Sequence, residues 1–160
     1  MTLDGVPDPV FRGEMAALFE HAPRFISRLV AARPFGSWDA LFTTAERIAG
    51  EMPEDEQVEL INAHPRLGAP PASVSDHSFR EQGYDRDTTQ AIADLERLNA
   101  EYEARFGFRY CVFVAGRART ALVPELVEAL TRDRASERHR ALRDVVAIAR
   151  DRAMKASPLT

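Results

Sequence analysis

Two short stretches of the sequence carry side chains that could do acid–base chemistry. In the first, His64 follows the apolar pair Leu60 and Ile61 at helical spacing and precedes Pro65, which cannot extend the helix. A histidine at a helix C-terminus lies near the negative end of the helix dipole, which favours imidazolium and predicts a raised pKa. Such a group could give or take a proton, although a histidine that only caps the last helical carbonyls is the simpler interpretation.

The second stretch is Ser78-Phe79-Arg80-Glu81-Gln82. Serine followed by glutamate three residues later fits a capping box, in which each side chain accepts from a backbone amide at the start of a helix. Amides at a helix N-terminus can also hold an anionic or carbonyl-bearing ligand. If Glu81 turns toward His64, the pair supplies a proton donor and a carboxylate that orients it or a polar substrate.

Other kinds of chemistry find little support. The histidines His21, His64, His77 and His139 show none of the spacings typical of a metal site, so we expect no metal. The sequence contains no glycine-rich phosphate loop, nucleophile elbow or dinucleotide fingerprint, which argues against phosphoryl transfer, serine hydrolysis and hydride transfer.

Composition predicts one soluble domain over residues 1–160, with 45% hydrophobic residues and a formal net charge of -4. The mildly acidic charge argues against nucleic acid as a partner. The longest apolar runs, such as Cys111 to Ala115, are far shorter than the roughly 20 residues that cross a bilayer, so we expect no membrane partner. The N-terminus lacks the pattern of a secretory signal, which favours the cytoplasm. The single cysteine, Cys111, is expected to be a buried, inert thiol.

Most of the chain has the apolar period of amphipathic helices. Phe11, Met15, Leu18 and Phe19 share one helical face, and Pro23 fits the first position of the next helix. Ser37 and Pro53 mark two further helix starts, and helical signals resume at Ser78. A long helix is predicted over 88–105, with an inner face of Ile92, Leu95, Asn99, Tyr102 and Phe106 and with Gly107 as its cap.

The last third of the chain predicts two more helices, over 120–131 and 136–154, and so an all-α, single-domain bundle of about eight helices. Phe108 to Val114 has the propensity of a strand, but a lone strand has no partner, so we expect an extended or helical core segment. Arginines and acidic residues interleave along the final helix, which predicts a salt-bridged face that includes Glu137, Arg140 and Arg152.

Taken in order, three motifs resemble those of the 2-oxo-4-hydroxy-4-carboxy-5-ureidoimidazoline (OHCU) decarboxylase family of urate breakdown. They are His64-Pro65-Arg66-Leu67-Gly68, then Ser78-x-x-Glu81-Gln82, then Leu98-Asn99-x-x-Tyr102-x-x-x-Phe106-Gly107-Phe108 with the apolar Tyr110 to Val114. The terminal Ile148-Ala149-x-x-Arg152 also fits, so the resemblance covers nearly the whole chain.

The resemblance implies an all-helical homodimer without cofactor or metal, which decarboxylates a small ureido-imidazoline to (S)-allantoin. His64 would match the catalytic proton donor and Glu81 its orienting carboxylate. The implied substrate-binding positions are Pro65, Ser78, Phe79, Arg80, Glu81, Gln82, Tyr110, Cys111, Val112, Phe113 and Val114. The 110–114 stretch would offer backbone N–H and C=O groups to the polar edges of a flat ring.

Two positions depart from the commoner family pattern. Arg109 stands where many members have proline, and Ala115 stands where an arginine is common, which leaves Arg117 as a candidate replacement or as plain solvated surface. Two alternative functions stay open at this point. One is a helical protein-interaction module in which His64, Ser78 and Glu81 only cap helices, and the other is a lyase that acts on a related ureido ring.

Overall fold

The computed structural model describes residues 3–67 and 89–156, and within those ranges the chain is all-α, with seven helices and no strand. The helices are α1 (Asp8–Phe19), α2 (Pro23–Ala31), α3 (Trp38–Glu51), α4 (Glu54–Asn62), α5 (Thr89–Phe106), α6 (Arg119–Ala129) and α7 (Arg134–Ala156). The eighth predicted helix, at Ser78, lies outside the described residues. The all-α class is confirmed.

The chain forms two compact units, and each is described by itself. The first unit contains the chain up to His64 together with the part of α7 from Leu142 onward. The second unit begins at Pro65 and ends at Ala141, and therefore contains α5, α6 and the first turns of α7.

The first unit is built around α2, which packs against α1, α3 and α4. The predicted inner face of α1 is confirmed, because Phe11, Met15, Leu18 and Phe19 are all buried. The ring of Phe19 meets that of Phe25 edge-on, with centroids 5.0 Å apart. Helix starts follow the local signals: α2 begins at Pro23, α4 follows Pro53, and the Ser37 hydroxyl accepts the Ala40 N–H at 3.1 Å.

In the second unit α5 packs against α6. Four of the five residues predicted for the inner face of α5 are buried, namely Leu95, Asn99, Tyr102 and Phe106. The prediction is wrong for Ile92, which is 39% exposed, because the buried face at that end of the helix passes through Ala91. Gly107 adopts φ +80° and donates its N–H to the Glu103 carbonyl at 2.9 Å, as a C-terminal cap requires.

The segment from Phe108 to Val114 forms neither helix nor strand, as the absence of a partner strand led us to expect. Phe108, Tyr110, Cys111 and Val114 are nonetheless buried, so the segment belongs to the core. Ala115 and Gly116 follow with φ of 52° and 76°, and the Arg117 N–H closes the turn onto the Val114 carbonyl at 3.1 Å. Within the described ranges no helix is long and apolar enough to cross a membrane.

The salt bridges predicted for α7 are present, among them Arg140–Glu137 and Arg152–Glu20, but some of their side chains are buried. Glu137 has no exposed surface and Arg152 is only 1% exposed. Arg152 stands three and four residues after the buried Ala149 and Ile148, so it lies on the apolar face of the helix. The spacing of charged residues along the sequence predicts ion pairs. The position of each charged residue on the helix decides whether it is solvated.

Candidate active site

His64 lies directly after the C-terminal cap of α4 and is 4% exposed. Its N–H donates to the Ile61 carbonyl at 3.2 Å, and its ring Nδ1 lies 3.2 Å from the Leu60 carbonyl oxygen. Because a carbonyl oxygen only accepts, the proton of the neutral ring belongs on Nδ1, and Nε2 then carries the lone pair. The backbone of α4 thus selects one tautomer of His64.

The pKa of His64 is lowered to about 4, and the raised pKa expected from the helix dipole is therefore wrong. Burial is the largest cause, since it penalises the charged ring. The positive charge of Arg152 lowers the pKa further, whereas the charge of Glu20 and the hydrogen bond to Leu60 act in the opposite direction. His64 is therefore neutral at ordinary pH.

We call His64, Arg152 and Glu20 the His64 cluster; all three belong to the first unit. Arg152 Nη1 donates to the carbonyls of Leu18, at 3.1 Å, and Ala17, at 3.4 Å, at the C-terminal end of α1. Its Nη2 donates to Glu20 Oε1 at 3.0 Å. Because several acceptors share one guanidinium, its charge is fixed in place.

Pro65 is half-buried and begins the second unit. The two residues after it are tied to α5. Arg66 Nε donates to Glu103 Oε2 at 2.8 Å, and Asn99 Nδ2 donates to the Leu67 carbonyl at 2.6 Å. These bonds fix the direction in which the chain leaves Pro65.

Arginine side chains hold the carbonyl groups of the 110–114 segment. Arg140 Nη1 donates to the Cys111 carbonyl at 2.9 Å. Arg117 donates through Nη2 to the Phe113 carbonyl at 2.6 Å and through Nε to the Val114 carbonyl at 2.8 Å. Since the segment has no helical or sheet ladder, these side chains take over the role of backbone donors. Arg117 is thus neither plain solvated surface nor a guanidinium turned wholly toward a ligand.

Arg140 is itself held by Glu137. Its Nε and Nη2 both donate to the Glu137 carboxylate, at 3.1 Å to Oε2 and 3.1 Å to Oε1 respectively, and its guanidinium lies 5.1 Å from the centre of the Tyr110 ring. Tyr102 donates its O–H to Glu137 Oε1 at 2.7 Å, and Arg132 Nη1 donates to Oε2 at 3.2 Å. We call Glu137, Tyr102, Arg132 and Arg140 the Glu137 cluster.

The charges of the Glu137 cluster are mutually compensated. Burial alone would raise the pKa of Glu137, but the hydrogen bonds and charge of Arg140, with those from Tyr102 and Arg132, hold that pKa below its usual range. Burial and the hydrogen bond to Glu137 raise the pKa of Tyr102 well above its usual range. At neutral pH the cluster therefore consists of one carboxylate, two guanidiniums and a neutral phenol.

Several residues predicted for the site lie outside the described residues, namely Ser78, Phe79, Arg80, Glu81 and Gln82. His64 belongs to the first unit, whereas Pro65 and the contiguous Tyr110, Cys111, Val112, Phe113 and Val114 belong to the second. No group of three or more metal-ligating side chains occurs in the part of the chain that the structure describes.

Sequence reasoning missed the roles of Arg140 and Arg152. Arg152 could have been found, because it falls on the apolar face of α7. Arg140 carries no such signal, since its partner Cys111 is 29 residues away in the sequence and only the tertiary fold brings the two together.

Comparison with known proteins identifies the family. The sequence model of the OHCU decarboxylase family matches residues 5–154. The chain belongs to the OHCU decarboxylase family. Among its members, the 2-oxo-4-hydroxy-4-carboxy-5-ureidoimidazoline decarboxylase of Haloferax volcanii is 28% identical over 145 residues, which make up 89% of this chain and 86% of that protein.

Another relative of the chain is the uric acid degradation bifunctional protein PucL of Bacillus subtilis, which is 33% identical over 141 residues. The match takes in 86% of this chain but only 28% of PucL. In fold, the chain is similar to a crystal structure of OHCU decarboxylase in the presence of (S)-allantoin, with a TM-score of 0.76 at 19% identity over 94% of this chain and 98% of that one.

Proposed function

We propose that this chain decarboxylates 2-oxo-4-hydroxy-4-carboxy-5-ureidoimidazoline to (S)-allantoin and CO2 in urate degradation, with His64 as proton donor and Glu81 as orienting carboxylate. Membership of the OHCU decarboxylase family carries this proposal. The reaction needs neither metal nor cofactor, because the ring C=N next to the departing carboxylate can take up the electrons of the broken C–C bond.

The tautomer of His64 supports an order of proton transfers. A neutral imidazole with its proton on Nδ1 must receive a proton at Nε2 before it can give one. After CO2 leaves, the substrate is an enol, and its hydroxyl can supply that proton. His64 Nε2 takes the hydroxyl proton as the ring carbonyl forms, and then delivers it to the ureido-bearing carbon, while the ring nitrogen that received the electron pair takes a proton from solvent.

Stereochemistry follows from geometry in this mechanism. A proton delivered from one fixed nitrogen reaches one face of the planar intermediate, so a single enantiomer forms, provided that the ring is held in one orientation. We assign this holding role to Pro65, to the stretch Ser78 to Gln82, and to the 110–114 segment.

A stereochemical assay tests the proposal. The substrate is generated in place by urate oxidation and hydration, and circular dichroism follows the allantoin formed. We expect His64→Asn to lower enzyme-dependent turnover about 10²–10⁴-fold, the usual contribution of general acid–base catalysis. His139→Asn is the matched control, because His139 is exposed. Full stereoselective turnover by His64→Asn would remove His64 from the mechanism.

Two further experiments address Glu81 and the alternative functions. Glu81→Gln should lower turnover while (S)-allantoin still binds in calorimetry, if the carboxylate orients His64 or the substrate. A panel of ureido rings coupled to CO2 release separates this activity from that of a related lyase. A protein-interaction module would release CO2 from no member of the panel and would give no binding heat with allantoin.

We further propose that residues 1–160 act as one functional domain, that the protein is a homodimer and that it works in the cytoplasm. Light scattering at two concentrations measures the oligomeric state, and a molar mass of one chain at both concentrations would contradict the dimer. Cell fractionation tests the compartment.

A further inference from the structure

The 110–114 segment presents a specific pair of backbone donors. In a trans peptide the C=O of one residue and the N–H of the next point in opposite directions. Where Arg140 holds the Cys111 carbonyl, the Val112 N–H therefore points away from Arg140. By the same geometry the Val114 N–H points away from the Arg117 nitrogen that holds the Phe113 carbonyl.

These two N–H groups are available for a ligand. Among the hydrogen bonds of residues 3–67 and 89–156, none has the N–H of Val112 or Val114 as its donor. Two donors two residues apart suit two acceptor oxygens on one ligand, such as those of a ring carbonyl and a ureido carbonyl. Val114 is buried and Val112 is half-buried. A backbone N–H that is shielded from water and lacks a partner carries a cost that a ligand would relieve.

The two arginines are anchored on the side away from the segment. Glu137 is completely buried and accepts two parallel bonds from Arg140, so it fixes the plane of that guanidinium as well as its position. Arg117 Nη1 pairs with Glu125 of α6. Each arginine therefore links a carboxylate on a helix to a carbonyl in the irregular segment.

We propose that Arg140 and Arg117 are positioning residues, which fix the carbonyl groups of the 110–114 segment and thereby aim the Val112 and Val114 N–H groups at the acceptor edge of the substrate. This inference rests on the proposed function for the identity of the ligand. Neither arginine has to touch the substrate, because each acts through the peptide group that it holds.

The test compares two arginines that share one carboxylate. Arg140→Gln removes the bond to the Cys111 carbonyl, whereas Arg132→Gln removes a cation from the same Glu137 without altering any bond to the segment. We expect Arg140→Gln to raise KM about tenfold and to change kcat much less, because it weakens ground-state binding. Arg132→Gln should leave KM unchanged. Equal KM values for Arg140→Gln and the wild type, or equal increases in both variants, would overturn the proposal.

Hydrogen exchange gives a readout that does not depend on turnover. Amides of residues 110–115 should exchange faster in Arg140→Gln and in Arg117→Gln than in the wild type, and at the wild-type rate in Arg132→Gln. If Arg140→Gln does not fold, Arg140→Lys serves, since it keeps the charge beside Glu137 but cannot span both acceptors. Unchanged exchange in a folded variant would contradict the positioning role. Failure of the wild type to decarboxylate would instead contradict the proposed function and leave the exchange comparison to decide the positioning role.

Discussion

The first and second compact units each pair a glutamate with an arginine, and in each a titratable ring is influenced by the pair. In the His64 cluster the nearby cation adds to burial and lowers the pKa of His64 to about 4. In the Glu137 cluster the nearby anion adds to burial and raises the pKa of Tyr102. Opposite ions therefore produce the same result, a neutral ring.

The two neutral rings differ in what they can do next. Tyr102 has one proton and donates it to Glu137, so its hydrogen bond is structural. His64 uses its one proton on the Leu60 carbonyl, but a neutral imidazole has a second nitrogen whose lone pair can take up a proton. The comparison shows that an ion pair can serve packing in one place and help to set the proton state of a titratable group in another.

Among the variants that test this comparison, Glu137→Gln should cause the largest loss of stability. The change leaves Arg140 and Arg132 without their shared anion, and breaking a buried ion pair from one side costs about 3–5 kcal/mol of unfolding free energy. Urea denaturation measures the loss. Glu101→Gln is the control, since Glu101 also pairs with an arginine but is exposed, and its loss should be small. Similar losses in the two variants would mean that the Glu137 cluster is not a stability element.

Acidification should lower the stability of the folded protein through protonation of His64. Unfolded chains protonate His64 near pH 6.5, whereas the folded protein does not until about pH 4. The contribution of the neutral His64 ring to the unfolding free energy is therefore fully present above pH 6.5. It is lost as the pH falls to about 4 and changes no further below that pH. The loss amounts to about 3 kcal/mol of unfolding free energy. Stability curves of the wild type and His64→Gln should diverge across this window, and parallel curves would refute the depressed pKa.

Removal of the Arg152 cation tests how much of the His64 pKa shift comes from its charge and how much from burial. In Arg152→Gln the pKa of His64 should rise above about 4 but stay below 6.5, because burial, the larger cause, remains. Titration of the ring by NMR measures this shift. Arg150→Gln is the control, as Arg150 lies two residues away on α7 and pairs with the exposed Asp39. An unchanged pKa in Arg152→Gln would assign the whole depression to burial.

Substitutions in the turn that follows the 110–114 segment should have the smallest effect on stability. Ala115 has φ 52°, a left-handed conformation that costs a residue with a Cβ about 1 kcal/mol, so Ala115→Gly should stabilise the protein by about that amount. Gly116→Ala should destabilise it for the same reason, since Gly116 has φ 76°. Thermal unfolding of both variants checks the opposite signs. Neither change should alter the pKa of His64, which belongs to the other unit.

Local signals predicted most of the fold. The inner face of α1, the Ser37 cap and the Gly107 cap depend on residues within a few positions of one another, and the sequence contains all of them. The direction of the His64 pKa shift could not be predicted in this way. The helix dipole is a local effect. Burial of His64 depends on the tertiary fold, and the charge that lowers its pKa further belongs to Arg152, 88 positions away in the sequence.

The candidate site residues differ in the same way, because some are predicted from local motifs and others only from the tertiary fold. His64 and the 110–114 segment were found from motifs, while Arg140 became visible only when the fold brought it to Cys111. The charge pattern of α7 indicated ion pairs but not their burial, because the difference between a solvated pair and a buried one depends on the packing partners of the helix.

The burial of Cys111 has a practical consequence. Cys111 is 4% exposed, its carbonyl is held by Arg140, and it is the only cysteine in the chain. A thiol reagent can therefore react only when the 110–114 segment opens. The rate of labelling of the native protein reports how often that opening occurs, and no cysteine has to be introduced or removed to measure it.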